Sequence, residues 1–205
     1  MITIGDGIPS WACLNANAHA LARYAALCQD ADIVPIVEPE VLMDGGHDID
    51  RCEEVTTLAL TAVFARLQEA HVDLTGIVLK PNMVTPGTTS AKRADATEIA
   101  ARTVRVLKAT VPSAVAGIAF LSGGQADVEA TANLNAINLV GGTPWPLTFS
   151  YGRALQAAPQ KAWAGKAGNI GAAQQAFSHR AQMNSLASLG TWKPDLEREG
   201  RAPGA

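Results

Sequence analysis

Two hydrophobic periods alternate along this chain, and that alternation restricts the fold more than any other feature. Short runs are apolar almost without interruption: Ile33 to Val37, Gly76 to Leu79, Val115 to Leu121 and Pro146 to Phe149. Continuous rather than every-other-residue hydrophobicity predicts strands covered on both faces. Between the runs the period changes. After Asp48 the apolar positions Val55, Leu58, Ala59, Ala62, Val63 and Leu67 recur by threes and fours, one stripe of a helix. Asp95-Ala96-Thr97-Glu98 has the spacing of a capping box, ahead of a stripe at Ile99, Val104 and Leu107. Further helices are predicted over Leu14–Cys28, 125–139, 153–165 and 169–190. Helical stretches of this length between strands require parallel pairing with right-handed crossovers. The fold class is α/β.

The four runs, with a stub at Met1-Ile2-Thr3-Ile4, fall short of the eight strands and roughly 250 residues of a closed (β/α)8 barrel. One unit is expected over residues 1–192, followed by a loose polar tail from Lys193 to Ala205 that is rich in Pro and Gly. With 48% hydrophobic and 17% charged residues the chain is no disordered protein, and a net charge of −3 argues against a nucleic-acid partner. No apolar run reaches the roughly 20 residues of a membrane span, and no leader pattern opens the sequence. Three cysteines, Cys13, Cys28 and Cys52, form no disulfide framework, so a reducing cytoplasm is the expected compartment.

Parallel α/β folds collect their chemistry at the carboxyl ends of the strands. Here those ends read Glu38-Pro39-Glu40, Lys80-Pro81-Asn82, Ser122-Gly123-Gly124 and Ser150-Tyr151-Gly152-Arg153. Lys80 closes an apolar strand, where a desolvated mouth disfavours the ammonium and leaves an amine nucleophilic toward a carbonyl. As an isolated feature, it would more simply snorkel to solvent or pair with an acid. Glu38 and Glu40 could supply that acid, one pairing with the ammonium and the other moving protons. Glu38, directly behind Ile36-Val37, has the stronger catalytic claim, whereas Glu40 could simply face water. The glycines of the last two ends open helices, where backbone N–H groups and the helix dipole favour an anion. Arg153 adds a fork that fits phosphate.

Other patterns lead nowhere. Leu121-Ser122-Gly123-Gly124-Gln125 spells an ABC-ATPase signature, yet no G-x-x-x-x-G-K-[ST] loop accompanies it. His19, His47, His71 and His179 are scattered, and Asp44-Gly45-Gly46-His47-Asp48 suits a loop before a helix better than a metal site. Trp11, Trp145, Trp163 and Trp192 read as packing residues.

Taken together, these segments resemble class I fructose-bisphosphate aldolase. The resemblance is carried by Ile33 to Glu40, Leu79 to Gly87 (LKPNMVTPG), Phe120 to Gln125 (FLSGGQ) and Leu147 to Gln156 (LTFSYGRALQ), and it extends from Ile4 to about Trp192. It implies a TIM (β/α)8-type architecture of which strands five to eight and a stub of strand four are present. It further implies that Lys80 forms a Schiff base, that Glu38 is its acid/base with Glu40 beside it, and that Ser122, Gly123, Gly124, Ser150, Gly152 and Arg153 hold a substrate phosphate. The implied reaction is reversible cleavage of fructose 1,6-bisphosphate into dihydroxyacetone phosphate and glyceraldehyde 3-phosphate, with an iminium as electron sink and neither metal nor cofactor. The family's first-strand aspartate and its third- and fourth-strand lysines fall outside the matched stretch. Sugar phosphates are therefore the expected partners, together with self-association or pairing with the other half-barrel. A catalytically inactive half-barrel, serving as a phosphate-binding or assembly module, is the alternative.

Overall fold

The computed structural model describes residues 1–198. Its four strands, β1 (Ile36–Val37), β2 (Val78–Leu79), β3 (Gly117–Phe120) and β4 (Leu147–Phe149), form one parallel sheet in sequence order. Six helices accompany them: α1 (Trp11–Asp30), α2 (Ile49–Glu69), α3 (Ala96–Thr110), α4 (Asp127–Val140), α5 (Arg153–Trp163) and α6 (Ile170–Ser188). The α/β class and parallel pairing agree with the sequence. The stub also pairs in parallel: Ile2 bridges Val41, donating to Glu40 O and accepting from Leu42 N.

The strands are shorter than the apolar runs, for identifiable reasons. Ile33 N donates to Cys28 O, so the start of the first run closes α1 and does not enter the sheet. Leu74–Gly76 turns as a 3-10 segment capped by Asp73, which delays β2. Asp48 and Asp95 cap α2 and α3, accepting from Arg51 N and Glu98 N. The expected capping box at Asp95 is only half formed. The Glu98 carboxylate reaches forward to Arg102, one turn on, where a guanidinium outcompetes a backbone N–H.

The sheet register departs from the sequence reading in one consequential way. Val37, Leu79, Ile118 and Leu147 stand in one aligned row, all buried against helices. Side chains alternate along a strand, so Ile36, Glu38, Lys80, Ala119 and Thr148 lie on the opposite face. That face is open toward both edges, where Ile36 is 47% exposed and Thr148 is exposed, while Ala119 between them is buried. Ile33 and Val34 are exposed as well, so these strands are not covered on both sides as their composition suggested. Of the four tryptophans, Trp145 and Trp192 are buried, but Trp11 and Trp163 are largely exposed.

Residues 193–198 pack, although their composition reads as a loose tail. Pro194–Glu197 forms a 3-10 turn, and the Glu197 carboxylate accepts from both terminal nitrogens of buried Arg180 at 2.7 Å and from Trp192 Nε1 at 3.0 Å. A buried guanidinium needs such a partner. Residues 199–205 of that stretch lie outside the described part.

Candidate active site

The parallel ladder puts the polar strand ends side by side. Lys80 N donates to Val37 O, Leu121 N to Pro81 O and Ser150 N to Phe120 O, each bond joining one strand end to the next. Three strand spacings, about 15 Å, therefore separate Glu38 from Ser150.

Glu38 and Lys80 follow the aligned pair Val37 and Leu79 and so point to the same open face. Lys80 Nζ lies 3.0 Å from Glu38 Oε1, with 20% of the lysine side chain and 40% of the glutamate side chain exposed. The amine thus meets a carboxylate in a partly open setting rather than an apolar mouth. Proton transfer between them needs no intervening group. Glu40 is held through its backbone, Glu40 N donating to Glu38 O and Glu40 O accepting from Ile2 N. Among the described residues no cation pairs with its side chain.

Behind these residues the segments that follow β1 and β2 are joined by Asn82. Its Oδ1 accepts from Val41 N at 3.1 Å, and its Nδ2 donates to Thr56 Oγ1 and to Met83 O. Where the short β1–β2 ladder ends, this buried amide takes over the cross-strand bonding. In the sequence Asn82 is legible only as part of the Lys80-Pro81-Asn82 strand end, with nothing to mark this bonding role.

At the other two strand ends, Ser122 is buried, and Gly123 and Gly124 take φ of 59° and 97°, the left-handed region that glycine enters without strain. A side chain on Gly124 would come within 3.6 Å of a terminal nitrogen of Arg153. The Arg153 guanidinium therefore lies against the Ser122–Gly124 turn, and the two glycine-bearing strand ends share one cationic, N–H-rich corner. Gly152 has φ of −87° and open space at its Cβ position. Behind the corner Tyr151 donates from its hydroxyl to Ala130 O at 2.9 Å, and burial raises that hydroxyl's pKa.

This arrangement coincides with strong similarity to known proteins. The family model "Fructose-bisphosphate aldolase class-I" matches residues 1–203. The chain belongs to the class I fructose-bisphosphate aldolases. Among curated members of this aldolase family, the probable class 1 enzyme of Xanthomonas axonopodis pv. citri is 53% identical, over 94% of this chain and 58% of its own length. The cytosolic fructose-bisphosphate aldolase 4 of Arabidopsis thaliana is also 53% identical, over 96% of this chain and 50% of its own length. A solved aldolase from Plasmodium falciparum, in complex with TRAP and a small-molecule inhibitor, superposes with a TM-score of 0.92 at 47% identity, over 94% of this chain and 56% of that one. The chain thus spans little more than half the length of the relatives it matches. Among the described residues no helix is long and apolar enough to cross a membrane.

Proposed function

We propose that this chain supplies the Schiff-base half of a fructose-bisphosphate aldolase, corresponding to strands five to eight of the family's barrel with a stub of strand four. The observation that carries the reading is the 3.0 Å pair of Lys80 Nζ and Glu38, on the open face of the sheet and in line with a glycine-arginine corner fit for phosphate. The Lys80 amine adds to the ketone carbon of fructose 1,6-bisphosphate and forms a carbinolamine. Glu38 delivers the proton with which the hydroxyl leaves as water, giving an iminium. The Glu38 carboxylate then takes the proton from the hydroxyl on the departing carbon, and the iminium draws in the electron pair released when the neighbouring carbon–carbon bond breaks. Glyceraldehyde 3-phosphate departs as the aldehyde product. The remaining enamine takes up a proton, and hydrolysis returns Lys80 and dihydroxyacetone phosphate. Glu40 lies on the strand end beside these steps. Ser122, Gly123, Gly124, Ser150, Gly152 and Arg153 hold a phosphate and fix the ketone over the lysine.

The open face supports a further element of this reading. Ile36 and Thr148 face the side on which a closed barrel carries its interior. Strands from another half-barrel, or from a second copy, would cover that side and the unpaired sheet edges. A cytosolic setting is proposed from the Arabidopsis relative.

Borohydride trapping with dihydroxyacetone phosphate tests the assignment. Label should attach to Lys80, and Lys80→Met should abolish it. Label on Lys92, Lys108 or Lys161 in place of Lys80 would refute the Schiff-base role.

A further inference from the structure

Gln125 closes the coincidental ATPase signature, and nothing in the reaction above uses it. It is nevertheless 6% exposed, directly behind the proposed phosphate turn. The Ser122 carbonyl oxygen accepts from Gln125 N at 3.0 Å and from Gln125 Nε2 at 3.1 Å. Two donors from one residue hold that carbonyl toward the protein interior.

A trans peptide carries its C=O and its N–H on opposite sides. Fixing Ser122 C=O inward therefore turns the Gly123 N–H outward. Among the described residues neither Gly123 nor Gly124 donates its N–H to a protein acceptor. Buried backbone donors are nearly always paired, so free donors at a partly exposed turn are available to a ligand.

The direction of the Gln125 amide is itself fixed. Asn133, 2% exposed on α4, donates from Nδ2 to Gln125 Oε1 at 2.7 Å. That bond commits the oxygen end and leaves Nε2 for Ser122. The other neighbour of Nε2 is Met83 Sδ at 3.7 Å, a weak acceptor on the segment that follows Lys80.

We propose that Gln125, oriented by Asn133, is a positioning residue for the phosphate turn, locking the Ser122–Gly123 peptide so that its N–H faces an anionic group of the substrate. The inference rests on the phosphate role proposed above. It does not make Gln125 a group that touches substrate.

Gln125→Met keeps length and bulk but removes the donor. Gln125→Glu still accepts from Asn133 but turns an acceptor toward the Ser122 carbonyl. The readout is the ratio of half-saturating concentrations for trapping at Lys80 with dihydroxyacetone phosphate and with dihydroxyacetone, which differ only in the phosphate. Loss of an aimed charged hydrogen bond should shift this ratio by about tenfold in Gln125→Met, with a larger shift in Gln125→Glu. A residue that merely supports the fold would weaken both ketones equally and leave the ratio alone, and that result would overturn the proposal. Should Gln125→Met fail to fold, Asn133→Ser tests the same chain from behind and should move the ratio in the same direction. Calorimetric binding of inorganic phosphate gives the comparison independently of Lys80. Wild-type affinity in the folded variants would refute the role of Gln125 alone. A wild-type chain that neither binds phosphate nor prefers the phosphorylated ketone would overturn the phosphate role, and this inference with it.

Discussion

The ends of β1 and β2 are held together differently from those of β3 and β4, and the difference follows what each pair has to present. Beyond the strand ends that the Asn82 side chain joins, the loops after β1 and β2 are bonded to one another backbone to backbone. Gly87 N donates to His47 O at 2.9 Å, Thr88 N to Met43 O at 2.7 Å and Thr89 N to Gly45 O at 3.0 Å. At the ends of β3 and β4 the glycine N–H groups stay unpaired among the described residues, and side chains secure the turns from behind: Gln125 on Ser122, Tyr151 on Ala130. The first pair presents side chains, the Lys80 amine and the Glu38 carboxylate, so its backbone donors can be consumed in the scaffold. The second presents the backbone itself, so rigidity must come from elsewhere.

The largest effect should come from disrupting the first pair at Gly87. A Cβ there would stand 2.2 Å from Gly45 O, a contact no rotamer relieves. Gly87→Ala should lower stability by about 3 kcal/mol through overpacking, measured by urea unfolding. An unchanged midpoint would mean the two loops are not interlocked as described. Arg153→Ala tests the second pair, where the loss should fall on binding and leave folding intact. Removing a charged hydrogen-bond partner should weaken dihydroxyacetone phosphate by about 2 kcal/mol in calorimetry, with a similar thermal midpoint. Equal affinity would remove Arg153 from the phosphate corner.

A smaller effect separates the two regions by pH. Both imidazole nitrogens of His47 are buried between the interlocked loops without a hydrogen-bond partner among the described residues. Burial lowers the pKa of His47; the nearby Asp48 opposes the shift and Arg51 reinforces it. The unfolded chain therefore takes up the proton first. The contribution of His47 is complete above an unfolded pKa of about 6.5 and is lost as pH falls through the lower folded value, with a slope of at most about 1.4 kcal/mol per pH unit. His47→Gln should flatten that limb of the stability–pH curve, and an unchanged limb would show that the group does not titrate on unfolding. Gly152→Ala should do least. With open space around its Cβ position, the change should cost no more than about 1 kcal/mol of stability.

Much of this protein was legible from the order of its residues. Apolar runs mark each strand, and capping aspartates mark the starts of α2 and α3, because both depend on neighbours within a few positions. Lys80 and Glu38 stood out because each is a charged residue at the end of an apolar run. Their 3.0 Å contact did not, since it depends on the one-to-one pairing of Val37 with Leu79. The hydrogen bonds of Asn82, Gln125 and Asn133 are hidden for a related reason: an amide side chain announces nothing until its partners are known. The segment 193–198 was misread because its composition is that of a loose tail, while its packing depends on one buried guanidinium, Arg180.

Sequence alone determined the α/β class, the parallel connections and which residues end the strands, because hydrophobic period and strand-to-helix spacing are local properties. Only the tertiary structure decided that one face of the sheet is open, that Lys80 pairs with Glu38 on that face, and that Arg153 lies against Gly124. Those facts depend on register and on which strands are neighbours, and register is set by the packing of whole helices against the sheet.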